Sequence, residues 1–340
     1  MNVERASDFS AIPFQDKLGF AGLDTWSNFA SAVYHFPLHR FVAFENGQAV
    51  GALALVEVKH RIFGHQLLTV PFASYGGFAF DSQLARDALL DAARHLTRQT
   101  RADFAVLRFE ADGSSPPPGW IQHPVYCTYR IPLPSSPDAV LASFSSDHRN
   151  HVRKSTRQGF RVRFGHLDLL DDVYEALARS MHELGSPYHS KSYLRTMAEY
   201  LGATLEFAVL YDVHSEISGG GVFIDQGKTV SNLHTNILRN VRSTYGGEFL
   251  YWSVIERAIQ KGLQTFDLGR SLVGSGNEIF KLKWRPQKKQ LAYWHWLTPG
   301  QSIPELNQKS PKFQLAIAVW KKLPAFVVRP LGPYLIQGLA

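Results

Sequence analysis

The residues best suited to chemistry in this sequence are gathered in Thr265-Phe-Asp-Leu-Gly-Arg-Ser271, Gly274-Ser-Gly276 and Phe280-Lys-Leu-Lys-Trp284. The pattern reads as a buried strand, a glycine-rich loop and a basic, aromatic segment. The strand brings Asp267, Arg270 and Ser271 to a sheet edge. Gly274 and Gly276 let main-chain N–H groups approach a ligand, because glycine takes φ > 0 without a steric penalty. Lys281 and Lys283 add positive charge, and Phe280 adds an aromatic face. Arg270 is suited to clamp a phosphate or carboxylate through two parallel hydrogen bonds, or else it pairs with Asp267. Asp267 is a general base, or a structural acid turned to the core side of the sheet. Lys281 contacts a reacting group, or it is a phosphate or surface lysine.

A second group is basic. Arg149, Arg153 and Arg157 lie four apart, so they share a helix face, and Lys154 lies beside them. No acid stands between Asp147 and Asp168 to balance them. The stripe suits the pyrophosphate of a nucleotide-linked or lipid-linked acceptor, or tRNA; otherwise it is a solvated face. His148 and His151 are spaced i, i+3, but no cysteine or carboxylate set lies near them in sequence, so no metal is expected. Tyr188, His189 and Lys191 follow Gly185 on a loop and are candidate acceptor contacts. His234 either lines a cleft from its strand or is packed.

The elements that must position these residues can be read from periodicity. Apolar runs flanking Asn46-Gly47 predict a hairpin, since that dipeptide supplies the φ > 0 pair of a tight turn. A helix over 24–36 precedes it, and a second hairpin is expected at Phe63-Gly64-His65. Helical spacing follows over Leu84–Leu96, then a strand at Phe104–Phe109. The proline-rich stretch 111–137 is a connector with one strand, Tyr126–Pro132. A helix from near Asp138 runs into the basic stripe. Further on, a strand at 160–164 and helices at 168–184 and 193–201 lead to strands at 207–211, 217–225 and 229–236. A helix over 248–261 and a strand at 265–269 close the series. Gly219-Gly-Gly221 inside a strand points to a bulge or a close ligand approach.

The two halves repeat. Each has a strand meander, a loop ending in Tyr-Gly-Gly (Tyr75-Gly76-Gly77 and Tyr245-Gly246-Gly247), a helix and a Phe-containing strand. Tyr75 and Tyr245 therefore join the candidate substrate contacts. The copies are unequal, because no Gly-Arg-Ser loop or Phe-Lys pair comes after Phe104–Phe109. This order is that of the GNAT acyltransferase fold, in which two central strands splay apart and expose main-chain groups able to hold a donor carbonyl. The expectation is α/β (α+β), with two tandem GNAT-like domains, each a mixed, mostly antiparallel sheet flanked by helices. Boundaries are expected at 1–135 and 136–305, the second holding the site, with an amphipathic tail at 306–340.

Composition sets the outer bounds. With 340 residues, 45% hydrophobic and 19% charged, the chain has enough apolar content for two packed cores. A net charge of +7 favours anionic partners. One cysteine, Cys127, excludes an intrachain disulfide and a cysteine-rich metal site, and fits a reducing compartment. The sequence shows no signal peptide and no uncharged apolar run of about 18 residues, so a cytoplasmic protein is expected. The stretch Lys312–Ala340 mixes Phe313, Trp320, Phe326 and Tyr334 with cations. It is either a docked helix or a peripheral contact at the inner membrane face.

Several of these motifs together resemble the FemAB-like proteins, in particular the group associated with PEP-CTERM/exosortase and exopolysaccharide loci. They are Pro71-Phe-Ala-Ser-Tyr-Gly-Gly77, Arg153-Lys154 with Gly159-Phe160, Gly185-Ser-Pro187, Phe266-Asp-Leu-Gly-Arg-Ser271, and Gly274-Ser-Gly276 with Phe280-Lys281 and Trp284. Trp320-Lys-Lys-Leu-Pro324 and Leu331-Gly-Pro333 fit the same group. The resemblance runs in order over nearly the whole chain. It implies acyl or aminoacyl transfer onto an amine of a cell-envelope or exopolysaccharide-related acceptor. Phe280-Lys281 resembles the Phe-Lys pair that Fem relatives hold near the donor's ester. That implies Lys281 beside the reacting carbonyl, stabilising an oxyanion that exists only at the transition state. Better-known relatives use aminoacyl-tRNA as donor. This sequence lacks the long coiled-coil insertion of some tRNA users, and Arg242-Ser-Thr-Tyr-Gly-Gly247 only approximates the CoA-binding loop. The donor, a co-substrate rather than a tightly bound cofactor, is thus aminoacyl-tRNA, acyl-CoA or acyl carrier protein. The third reading is a non-catalytic protein that binds membrane or polysaccharide precursors.

Overall fold

The computed structural model describes residues 1–303 and 311–339; the start of the expected tail lies outside them, as do the side chains of Lys312 and Phe313. The chain divides into two compact units. One comprises Met1–Tyr126, Lys289–Leu306 and Gln337–Ala340; the other comprises Cys127–Lys288 and Asn307–Ile336.

In chain order the first elements are β1 (Asn2–Arg5), α1 (Asp24–Tyr34), β2 (Leu38–Glu45), β3 (Gln48–His60), β4 (Gly64–Leu68), β5 (Phe78–Phe80), α2 (Gln83–Thr100), β6 (Phe104–Glu110) and β7 (Trp120–Gln122). Next come β8 (Tyr126–Pro132), α3 (Pro137–Ser143), α4 (Ser146–Ser155), β9 (Arg161–Gly165), α5 (Leu170–Leu184), α6 (Lys191–Leu201), β10 (Leu205–Tyr211), β11 (Ile217–Asp225) and β12 (Thr229–Ile237). The last are α7 (Gly246–Gln260), β13 (Thr265–Leu272), α8 (Gly276–Leu282), β14 (Gln287–Leu297), α9 (Pro311–Lys322) and α10 (Ala325–Gln337).

The first unit's sheet runs β1-β2-β3-β4-β6-β14, with β5 on β3 and β7 on β14; the second unit's runs β8-β13-β12-β11-β10-β9. Asn46 and Gly47 both have positive φ and turn β2 into β3, as their types require. Each unit has its own core. In the first, Leu53, Leu55, Leu89, Leu107 and Trp294 are sealed from solvent. In the second, Tyr129, Phe144, Leu250, Phe266 and Trp284 are.

The repeat holds at the level of topology. In each unit an antiparallel meander (β2-β3-β4, β10-β11-β12) is followed by a helix (α2, α7) and a strand parallel to the meander's last. β4 and β6 pair over Gln66–Leu68 and Phe104–Val106, while β12 and β13 pair over Thr229–Ser231 and Thr265–Asp267. Beyond those pairs the units differ. In the first unit the gap is filled: Arg108 N–H donates to Thr69 Oγ1 at 3.0 Å, and Gly76 N–H donates to Arg108 O at 2.8 Å. In the second, β12 and β13 run on without further ladder pairs to each other among the described residues. The parting of two central strands expected from the sequence is thus found in the second unit.

Three local expectations change. The helix from Asp138 is two helices, broken at Phe144-Ser145, where Phe144 is buried and Ser145 Oγ caps α4 by accepting from His148 N–H. Since α4 ends at Ser155, Arg157 lies beyond it and does not extend the face of Arg149 and Arg153. Phe280–Trp284, read as a basic, aromatic segment with no element assigned, is the last turn of α8 and the residues after it; Ser275 Oγ caps this helix on Glu278 N–H.

The glycine strand is explained by packing. A Cβ on Gly220 would stand 3.0 Å from the Ala176 Cβ of α5, and one on Gly219 would meet Ile237 at 2.8 Å. These glycines admit a helix and a neighbouring strand. Bulges flank the glycines: β11 carries an extra residue at Ser218 opposite β10, and β12 one at Leu233 opposite Val222 and Phe223.

Residues 311–336 of the tail belong to the second unit, while Gly338 O accepts from Gln66 Nε2 in the first. Trp320 O lies 3.1 Å from His182 Nε2, Arg329 pairs with Glu175, and Gly332 lies against the main chain of Tyr188. Among the described residues no helix is long and apolar enough to cross a membrane.

Candidate active site

β13, the loop after it and α8 form a hairpin that folds the lysine back onto the strand. Lys281 is 2% exposed, and its Nζ donates to Gly269 O and Arg270 O, each at 2.8 Å. Gly269 has φ +73 inside the strand, which a side chain would resist; the kink turns consecutive carbonyls toward the amine. Burial pushes the Lys281 ammonium down to about 7, with Arg270 acting in the same direction and Asp267 opposing. Near neutral pH it is therefore poised between two forms. As an ammonium it has three N–H donors, and the two carbonyls use two of them.

Glu278 holds this hairpin shut, and sequence reasoning missed it. Its Oε1 accepts from Tyr129 OH at 2.5 Å and Lys288 Nζ at 2.8 Å, and its Oε2 accepts from Gly274 N–H at 2.5 Å. The hydrogen bond from Lys288 comes first in holding its carboxyl down at about 2; those from Tyr129 and Gly274 add to it. The loop N–H of Gly274, expected to face a ligand, is thus given to Glu278. The signal was available: Ser275 and Glu278 have the spacing of a capping box.

Asp267 is 2% exposed and structural in its bonding. Its Oδ1 accepts from Thr128 Oγ1 at 2.6 Å and Gly269 N–H at 2.8 Å, and its Oδ2 lies 3.4 Å from Arg130 Nε. Arg130 is an ion-pair partner of Asp267 that the sequence did not suggest. Ser271 is 4% exposed with no hydrogen-bond partner for Oγ. Gly276 opens α8. Phe280 packs on Tyr251, ring centroids 5.2 Å apart, and lies 3.6 Å from where a Gly247 Cβ would stand.

On the other side of the opening, β12 presents two faces. Thr235 Oγ1 donates to Asn232 Oδ1 at 2.7 Å, and Asn232 Nδ2 donates to Tyr251 OH at 3.0 Å and Leu268 O at 3.4 Å. This chain spans the point where the strands part. Toward α5 and α6, His234 meets the loop after Gly185. Its ring lies 5.7 Å from His189 and 5.8 Å from Tyr188, and His189 stacks on Tyr193 at 3.6 Å. Burial pushes His234 down to about 4 and His189 well below the ordinary range, so both are neutral at physiological pH. The sequence named Tyr188, His189 and His234 separately, and the fold brings them together. Tyr193 was missed because it looked like an ordinary helix position. Lys191 points away, to Asp171.

The basic stripe divides. Arg149 Nη1 donates to Ala142 O and Phe144 O, so it stitches α3 to α4. Arg153, Lys154 and Arg157 are exposed. Tyr245, in the left-handed region with φ +64, immediately precedes α7 and stacks on His151 at 4.6 Å. Tyr75 lies in the first unit, in a loop where Ser74 O accepts from Tyr293 OH at 2.8 Å.

Residues 142–282 match the acetyltransferase (GNAT) domain family. No curated protein matches the chain. Among solved structures the fold is similar to FemX (TM-score 0.63, 14% identity, 88% of this chain and 94% of that one). It is also similar to a tandem GNAT protein from the clavulanic acid biosynthesis pathway (0.54, 13%, 88% and 100%). A third is the C-terminal domain of a putative lysylphosphatidylglycerol synthetase from Agrobacterium fabrum (0.51, 13%, 76% and 83%). The matched stretch contains α4, the splayed strands β12 and β13, and all of α8. Residues 142–282 thus carry a GNAT acetyltransferase domain, and the fold of the chain is similar to that of FemX and of a tandem GNAT protein.

Proposed function

We propose that this protein transfers an acyl or aminoacyl group from an activated donor to an amine of a cell-envelope or exopolysaccharide-related acceptor, forming an amide. The observation that carries the reading is the opening between β12 and β13 with Lys281 buried behind the end of one strand. A donor carbonyl seated there is attacked by the amine. The carbonyl oxygen becomes an oxyanion, the tetrahedral adduct collapses, and the thiolate or alkoxide leaves with a proton. Lys281 in its ammonium form stabilises the oxyanion with its third N–H, in a site where burial strengthens the interaction. The neutral His189–His234 pair and Tyr188 contact the acceptor. Ser271, Phe280 and Tyr245 contact the donor.

FemX and a lysylphosphatidylglycerol synthetase among the folds support aminoacyl transfer. The tandem GNAT protein described without acetyl-CoA supports the rival donor, an acyl-CoA or acyl carrier protein. Exposed Arg153, Lys154 and Arg157 suit the phosphates of either. We place the protein on the cytoplasmic face of the inner membrane. The outward side of the tail exposes Leu315, Val319 and Phe326 beside Lys321 and Lys322. The test is to incubate the full chain with charged tRNA or with acyl-CoA, plus amine acceptors, and to follow amide formation. Transfer from one donor, lost in Lys281→Ala, is expected. Transfer unaffected by that substitution overturns the assignment of Lys281, and no turnover with either donor overturns the reaction.

A further inference from the structure

His148 and His151 lie one turn apart on α4, and the only carboxylate near them in sequence is the exposed Asp147. The fold supplies another. Glu248, in the first turn of α7, brings a carboxylate oxygen to the pair, and one ligand atom from each of the three lies within 4.8 Å of the others. His148 is 2% exposed, and neither of its ring nitrogens has a hydrogen-bond partner. Nδ1 of His151 has none either. A buried imidazole that has given up water on both nitrogens calls for an explanation, because such groups are almost always satisfied. Phe144 and Trp284 pack edge-on against His148, at 5.3 Å and 4.5 Å between centroids, and wall the cluster with apolar surface.

We propose that His148, His151 and Glu248 bind one divalent metal ion of the zinc class. Two imidazoles and a carboxylate are the donor set of an open zinc site, which keeps a fourth position for water or an anionic ligand. Tetrahedral zinc holds such atoms about 3.4 Å apart, from metal–ligand bonds of about 2.0–2.1 Å. Closing the difference takes rotations about the side-chain bonds of His151 and Glu248, with His151 shifting against the Tyr245 ring it stacks on. Two groups compete for the same atoms. Lys283 Nζ lies 3.8 Å from Glu248 Oε1, and Asp147 Oδ1 lies 3.5 Å from His151 Nε2; both side chains are solvent-exposed and can withdraw. The metal would tie α4, which carries Arg153 and Lys154, to the first turn of α7. The inference goes beyond acyl transfer and does not depend on it.

The test uses the chelator-stripped full chain, titrated with Zn²⁺ by calorimetry and with Co²⁺ by visible absorption. Trp284 beside His148 provides a third readout, quenching of tryptophan fluorescence by Co²⁺. One ion per chain is expected, with a cobalt spectrum of low coordination number. His151→Ala and Glu248→Gln should each weaken binding about 10-fold or more, and Lys283→Ala should tighten it by removing a competing cation. His151 is half-buried, so its variant is expected to fold, and a thermal melt matching the parent checks this. Absence of a stoichiometric ion overturns the proposal. So does binding that survives unchanged in both ligand variants.

Discussion

Lys281 Nζ sits 2.8 Å from the main-chain oxygen of Gly269, the one β13 residue whose φ of +73 departs from a strand. The kink and the lysine require each other: the kink presents the carbonyls, and the buried amine satisfies them. Because burial holds this lysine down at about 7, its charge changes within the physiological range. If the ammonium stabilises the oxyanion, kcat falls as pH rises through about 7. Lys281→Ala should lower kcat by about 10²–10³, and the pH profile of the residual activity should lose that limb. Steady-state kinetics from pH 6 to 9 measure both.

The same shift has a consequence for stability. A lysine whose folded pKa lies below its unfolded value binds fewer protons when folded, so stability rises with pH between about 7 and 10.5, and below about 7, where both states are protonated, this dependence levels off. The slope approaches about 1.4 kcal/mol per pH unit. Urea midpoints of the parent should therefore rise relative to Lys281→Met as pH goes from 7 to 10. Parallel curves for the two proteins would mean the lysine is charged throughout.

Glu278→Gln removes the charge that gathers Tyr129, Lys288 and Gly274. Hydrogen bonds to charged groups contribute about 1.5–3 kcal/mol each, and an amide replaces them in part, so a loss of about 2–3 kcal/mol is expected. In the parent, Glu278 is held down at about 2, so its contribution is present above the ordinary carboxylate range and disappears as pH falls from about 4.5 to 2. Denaturant melts at pH 7 and pH 3 should differ more for the parent than for the variant.

The arginines of the basic segment should separate by assay. Arg149→Ala exposes the carbonyl ends that the guanidinium bridges, and should lower the melting temperature. Arg153→Glu with Lys154→Glu should leave the melt alone, raise KM for the phosphate-bearing donor, and flatten its salt dependence. A lower melting temperature with unchanged KM in the double variant would show that these two cations have no part in donor binding.

Gly220→Val should behave as an overpacked core. Its side chain meets Ala176 and Val173 of α5, at a cost of about 1–3 kcal/mol. A raised KM with an unshifted melt would instead restore the reading of this strand as a ligand approach.

The sequence by itself determined the alternation of strands and helices, the Asn46-Gly47 turn and the Tyr-Gly-Gly repeat. These are local: turn chemistry and apolar period act over a few residues and need no partner. It also pointed to Lys281, His189 and His234 by residue type, and to β13 by its buried run. What it did not contain was which atoms each residue would meet. Asp267 is held by Thr128 and Arg130, residues that join it only when β8 and β13 fall in one sheet. Glu248 reaches His148 and His151 only because α4 packs on the start of α7. The loop after Asp267, present in one copy alone, marked the two modules as unequal. Only the tertiary structure decided where one is closed and the other open. Thr69 and the loop to Gly77 fill the first unit's strand gap, whereas in the second β12 and β13 stop pairing beyond Ser231 and Asp267 and the Asn232 side chain reaches across to Leu268 O. Whether parting strands are bridged depends on long-range hydrogen bonds, and those have no period for a sequence to display.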